Sequence, residues 1–345
     1  GPLAGVTAGM ALATIYAYRR DWKGVKFTIE RETLAKICQY GIPLSVTVAL
    51  AAVISSSDRF LIAGYLGEGA AGLYSVAVDF TAQTLTLLMM VINLAMYPIA
   101  VRAYEQHGKE AAQEQMRSNA SLLMAVAIPC VIGLTVLAPG ISYCFLGKDF
   151  RTGAAAIMPL VALGTFLAGM KAYHFDAAFQ FAHRTIFQVW IVLFAAAVNV
   201  VLNVIAIPRW GINGAACASV LAYIVSIVLT AYLGRKHFVL PFPMRAGGQV
   251  VLAGAIMAAA LVPFRGALDK KDVAMQIAGG GALYCLSLFA MNFLELRDIA
   301  IRKWRSSGMA AGHGFPVLAP VAAAQEGGEA QPLQVLRGTS LVETR

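Results

Sequence analysis

The sequence predicts an all-α, polytopic membrane bundle of about nine transmembrane helices, on three observations. The chain of 345 residues is 59% hydrophobic and only 13% charged, with a mean hydropathy of +0.69. A soluble domain is nearer half apolar and a quarter charged. The apolar residues gather in runs close to the ~20 residues that a bilayer-spanning helix needs. Lysine and arginine gather between those runs, mostly on one side.

The first run is Pro2–Tyr18, closed by Arg19-Arg20-Asp21-Trp22-Lys23. The second, Leu34–Gly64, has a polar first turn and carries Gly41-Ile42-Pro43 where it meets the membrane. Its last third holds Asp58-Arg59. Each such charge costs roughly 2.5–3.5 kcal/mol in hydrocarbon unless something solvates it. That cost points to a hydrated interior shared by several spans. Gly67-Glu68-Gly69 turns the chain into the third run, Ala70–Ala100. The segment Arg102–Arg117 is mixed in sign and reads as helical.

The fourth run, Ser121–Leu146, contains Pro129 and Pro139. Both are expected to bend it, because proline removes a backbone donor. The fifth is Ala154–Ala182, and the sixth, Phe187–Ile207, stops at Pro208-Arg209-Trp210-Gly211. The seventh is Ala215–Leu233, the eighth Val250–Phe264 and the ninth Ala274–Leu294. Gly279-Gly280-Gly281 in the ninth lets a neighbouring helix come close. Residues 306–345 are rich in Ala, Gly, Pro and polar side chains without a sustained period, which reads as a disordered tail.

Sixteen Lys and Arg fall in one set of loops and seven in the opposite set. The richer set is cytoplasmic by the positive-inside rule. Residue 1 is then outside and the C-terminus cytoplasmic. The same asymmetry accounts for most of the net charge of +9, so no nucleic-acid partner is expected. The five cysteines form no CxxC and read as packing residues rather than a disulfide frame or a metal site. The chain opens Gly-Pro-Leu-Ala-Gly without a basic leader, so it does not read as a signal peptide. An N-terminal part of the protein is expected to be missing.

Two stretches carry a family resemblance. SSDRFLIAGYLGEGAAGLYSVA resembles the bacterial polysaccharide flippases, the Wzx-type O-antigen and exopolysaccharide exporters. The match runs through Asp58, Arg59, Phe60, Leu61, Gly67, Gly72 and Tyr74. VNVVLNVIAIPRWGINGAACAS is similar to a second motif of that family through Asn199, Leu202, Asn203, Ile207, Pro208, Trp210, Gly211, Ile212, Gly214, Ala215 and Ala216. The resemblance covers roughly residues 1–235 and implies half of a two-lobe exporter fold. Residues 1–20 would be the last helix of an incomplete N-terminal lobe, and residues 34–237 a six-helix C-terminal lobe. Residues 246–296 would be an extra transmembrane pair and 306–345 a cytoplasmic tail. About five helices are then absent, and the chain as written is not expected to transport alone.

The resemblance implies a flippase for undecaprenyl-diphosphate-linked oligosaccharide in the bacterial inner membrane, serving lipopolysaccharide or exopolysaccharide synthesis. Alternating access and coupling to a proton or sodium gradient come with it. So do membrane lipids and other polysaccharide-assembly proteins as partners. Arg59, Lys171, Asn199 and Asn203 are the candidate substrate-binding residues, and Asp79 and Asp58 the candidate ion-coupling residues.

Each candidate also has a plainer reading. Asp58 and Arg59 can anchor the helix near the outer leaflet. Asp79 can pair with a base on a neighbouring span, Arg59 among them. Lys171 shares a face with His174 at i, i+3 and can snorkel. His174 alone reads as a packing residue. Asp176, five residues from Lys171, is expected to point elsewhere and to sit at the interface. Asn199 and Asn203, at i, i+4, can serve as interhelical hydrogen-bond donors.

No HExxH, GxSxG or P-loop motif occurs, so no catalytic residue, metal or cofactor is expected and the chain does not read as an enzyme. A multidrug exporter of the same fold and a membrane polysaccharide polymerase or ligase are the rival readings. Prominent basic intramembrane residues weaken the first. The short outer loop around Arg265–Asp272 weakens the second.

Overall fold

The computed structural model describes residues 2–21, 31–266, 268–295 and 297, which belong to one compact unit, Gly1–Arg297. The predicted tail lies outside the described residues. Among the described residues ten α-helices follow one another: α1 Pro2–Asp21, α2 Arg31–Leu66, α3 Glu68–His107, α4 Lys109–Val136, α5 Ala138–Phe145, α6 Arg151–Met170, α7 Ala177–Phe181, α8 Ile186–Gly234, α9 Met244–Leu261 and α10 Lys270–Ala290. No strand occurs among the described residues. Among the described residues, six helical runs are long and apolar enough to cross a membrane: 68–107, 109–136, 148–181, 186–234, 244–264 and 270–290. The protein is a helical, multi-pass membrane bundle.

The nine apolar runs of the sequence map onto these helices with three adjustments. The fourth run is broken at Leu137, with Pro139 in the first turn of α5, a position where its missing N–H costs nothing. The fifth run is interrupted by a π-helical turn, Lys171–Phe175, between α6 and α7. The sixth and seventh runs form one helical stretch, α8, that folds back on itself at Gly211.

That reversal follows from distances. Asn199 donates through Nδ2 to Ser219 Oγ at 3.3 Å. Twenty residues of straight helix would separate them by about 30 Å. Gly211 makes the fold with φ 58°, ψ −142°, a conformation side chains oppose. Gly214 then lies so close that a Cβ there would collide with the Ala206 carbonyl.

Packing leaves a gap. α2 leans mainly on α8, whereas α3 leans on α4 and α6. Near their junction at Gly67 the two are held by Ile62, Tyr74 and Ala77, packed against Ile157, Ile207 and Ala215. Further from the junction they diverge onto different partners. α9 and α10 pack on α4 through Met257, Val250, Tyr284 and Leu288. The Tyr284 hydroxyl donates to the Ala125 carbonyl at 2.8 Å. Tyr284→Phe is expected to lower stability by about 1 kcal/mol, the net worth of one buried hydrogen bond, measurable by thermal unfolding in detergent.

On the first arm of α8 one face carries Gln188, Val192, Ala195, Asn199 and Asn203, and the other Trp190, Phe194, Val201 and Ile205. The first set is buried and the second exposed. Both follow the helical period, so this arm has an interior stripe and a lipid-facing stripe. In α1 the large apolar side chains Met10, Leu12, Ile15 and Tyr16 are exposed.

Candidate functional site

A cavity of about 430 Å³ lies inside the bundle, walled by α2, α3, α6, the π turn, α7 and both arms of α8. Small apolar side chains form part of its wall: Val192 and Ala195 from one arm of α8, Ala222 from the other, and Ala168 and Ala172 from α6 and the π turn. Its charged side chains fall at two stations, Asp58 at one and Lys171 with Asp176 at the other. Asn199 marks one and Gln188 the other, eleven residues apart on the same arm. That spacing is about 16 Å of helix.

The first station is Asp58. Its carboxylate accepts from Asn203 Nδ2 at 2.7 Å, Ser219 Oγ at 2.7 Å and the Tyr74 hydroxyl at 3.4 Å. Asn203 Nδ2 also donates to Asn199 Oδ1 at 3.0 Å. Asp58, Tyr74, Asn199 and Asn203 are all buried. Four hydrogen-bonding side chains, from α3 and the two arms of α8, thus surround the one carboxylate that α2 supplies. No cationic side chain pairs with Asp58 among the described residues. Asn203 Oδ1 is buried and finds no hydrogen-bond partner among them either. An oxygen-rich cluster with one uncompensated carboxylate is the ligand chemistry that a proton or a small hard cation takes.

The second station is Lys171 with Asp176. Lys171 Nζ donates to both carboxylate oxygens, at 2.9 and 2.8 Å, and both residues are buried. This corrects the expectation that Asp176 points away and sits at the interface. In an α-helix five residues turn through about 500°, leaving the two side chains about 140° apart. The π turn adds a residue, and the Asp176 N–H donates to the Lys171 carbonyl at 2.9 Å. Lys171 and Asp176 therefore share a face. Gln188 Nε2 donates to the Asp176 carbonyl at 2.8 Å. Nor does Lys171 snorkel, since its ammonium is already engaged inside the bundle.

Arg59 and Asp79 are elsewhere. Adjacent residues on a helix do not share a face. While Asp58 looks inward, Arg59 reaches across to α3 and forms an ion pair with Asp79. The two side chains are 36% and 65% exposed, and neither lines the cavity. His174 is fully buried between the rings of Phe175 and Phe242, at centroid distances of 5.1 and 6.2 Å.

The cavity thus brings together Asp58, Asn199 and Lys171, with Asn203 behind Asp58, and leaves Arg59 and Asp79 outside. Sequence reasoning missed Ser219, the role of Tyr74 and Gln188. Ser219 had a signal: Ser219, Ala222, Tyr223 and Ser226 repeat at helical spacing on the seventh apolar run.

The helices are thus arranged around an internal polar site, with broken helices at the site itself. Residues 3–155 match the model of the family described as polysaccharide biosynthesis protein. Two relatives from Haloferax volcanii are similar. The probable flippase AglR is 24% identical over 250 residues, covering 69% of this chain and 51% of that protein. The probable low-salt glycan biosynthesis flippase Agl15 is 23% identical over 208 residues, covering 60% of this chain and 43% of that protein. Among solved structures, the lipid II flippase MurJ in its inward closed conformation superposes with a TM-score of 0.62 at 14% identity, over 80% of this chain and 57% of that one. Over part of its length the chain is thus similar to proteins named as polysaccharide flippases, and its fold is similar to that of the lipid II flippase. It spans about half the length of the curated relatives it matches.

Proposed function

We propose that this chain is the ion-coupling lobe of a flippase that moves a lipid-linked oligosaccharide across the membrane, and that Asp58 is its coupling residue. The observation that carries the reading is the buried Asp58 carboxylate, held by Asn203, Ser219 and Tyr74 in the wall of an internal cavity. A charge in such a place is retained only against a cost, and carriers retain it for a proton or an ion. Asn199 and Asn203, first considered for substrate, serve Asp58 in this reading. A cavity of about 430 Å³ is the size of a small-molecule pocket, too small for an oligosaccharide diphosphate. The head group therefore passes outside this cavity, along the exposed α2–α3 face that carries Arg59 and Asp79, with the lipid tail remaining in the bilayer.

In the bacterial setting implied by the sequence motifs, the carrier lipid is undecaprenyl diphosphate and the membrane the inner one, with the C-terminus cytoplasmic. Binding of the coupling ion at Asp58 biases which face the lobe presents, and alternating access follows. The test is complementation: the full-length protein expressed in a strain lacking its glycan flippase, with surface glycan as the readout. Restoration that collapses with the ion gradient is the expected result. Failure to restore glycan at normal protein levels would overturn the proposal.

A further inference from the structure

The π turn at Lys171–Phe175 is more than an irregularity at the second station. Two contacts close it between the same two residues. One is the backbone bond from the Asp176 N–H to the Lys171 carbonyl, at 2.9 Å. The other is the grip of Lys171 Nζ on both Asp176 oxygens. Gln188 fastens the far side of the turn to α8. This register is held against a cost. Neither ring nitrogen of His174, nor Gln188 Oε1, finds a hydrogen-bond partner among the described residues, and all three atoms are buried. The segment beyond the turn is short. α7 is five residues long, and His183, at φ 53°, begins the bend into α8. A change of register in the turn needs only this short segment to follow.

We infer that the turn is a two-register switch, latched by the Lys171–Asp176 pair, that sets the character of the cavity's second station. Latched, Asp176 and Gln180 line the cavity. Unlatched, the helix takes the α register and everything after the turn rotates by about 100°. The residues that then follow Lys171 on the same face are Phe175 and Phe179, at i+4 and i+8. A carboxylate and an amide are replaced by two aromatic rings, and the polar station becomes an apolar plug. π turns of this kind recur at functional sites, and helix register shifts are an established form of two-state change.

The inference concerns the switch alone, so its test needs no transport and does not depend on the coupling role of Asp58. In the full-length protein freed of native cysteines, Gln180→Cys reports the latched register and Phe175→Cys the other, by their labelling rates with a small hydrophilic thiol reagent in native membranes. Lys171→Met and Asp176→Asn each should slow labelling at position 180 at least about ten-fold and raise it at position 175. The exchanged pair, Lys171→Asp with Asp176→Lys, should restore the wild-type pattern. Deleting Ala172 forces the α register without touching a charge and should label like the single variants. Wild-type labelling in the single variants or in the deletion would overturn the inference. So would an exchanged pair that labels like the single variants.

Discussion

Replacing Asp58 by asparagine is expected to lower glycan export by the full-length protein about 100-fold or more, with near-normal protein levels. A factor of 100 corresponds to about 2.7 kcal/mol, within the range of a hydrogen bond or ion contact to a charged group. The fold should survive because asparagine keeps one oxygen to accept from Asn203 Nδ2 and its new amide can donate to the Ser219 hydroxyl oxygen, the two groups that now donate to separate carboxylate oxygens at 2.7 Å each. What disappears is the charge, and with it the affinity for a coupling ion. Asp58→Leu separates the two effects. It strands Asn203 and Ser219 as well, and each buried group left unpaired costs about 1–3 kcal/mol. Surface glycan reports the first effect, and thermal unfolding of the purified protein reports the second. Export by Asp58→Asn at the wild-type rate would remove Asp58 from the coupling role. Arg59→Ala is the informative contrast. Its pair with Asp79 is partly exposed and lies outside the cavity, so it should leave ion dependence unchanged even where export falls.

The positions of the spans were legible because hydrophobic runs and basic loops are recorded residue by residue. The internal geometry was less so. Asp58 and Arg59 are neighbours in sequence and looked like one charged unit, yet a helix turns about 100° per residue and sends them to different partners. The Arg59–Asp79 pair was within reach of sequence reasoning, because a buried or half-buried charge needs an opposite one nearby. The Lys171–Asp176 pair was not, because spacing rules assume the α register and a π turn breaks them. Ser219 was hidden for another reason. It reaches Asp58 only because α8 doubles back at Gly211, and the length of that hairpin sets which residues of its two arms meet. The run Gly211-Ile212-Asn213-Gly214 marks the bend in the sequence but not the register across it.

That register is where a very small substitution should have a large effect. Gly214→Ala is expected to destabilise the protein by about 1–3 kcal/mol, the usual cost of forcing an extra carbon into a packed interior. The added Cβ meets the Ala206 carbonyl group, and its distance to Ala206 Cβ would be 3.1 Å. Backbone cannot step aside as a side-chain tip can, so the two arms of α8 have to part. Their parting loosens the Asn199–Ser219 contact first, and with it the two arms' joint hold on Asp58. Stability and coupling should therefore fall together, although residue 214 touches neither the ion site nor the substrate path. Gly248→Ala in α9 is the control: no atom outside its own helix lies within 4 Å of a Cβ there. Alanine at such a site should be neutral or slightly stabilising, because it restricts the unfolded chain. Thermal unfolding in detergent gives the two values side by side. Equal melting temperatures for the two variants would mean that α8 tolerates separation of its arms, and that Asp58 does not depend on the closeness of the bend.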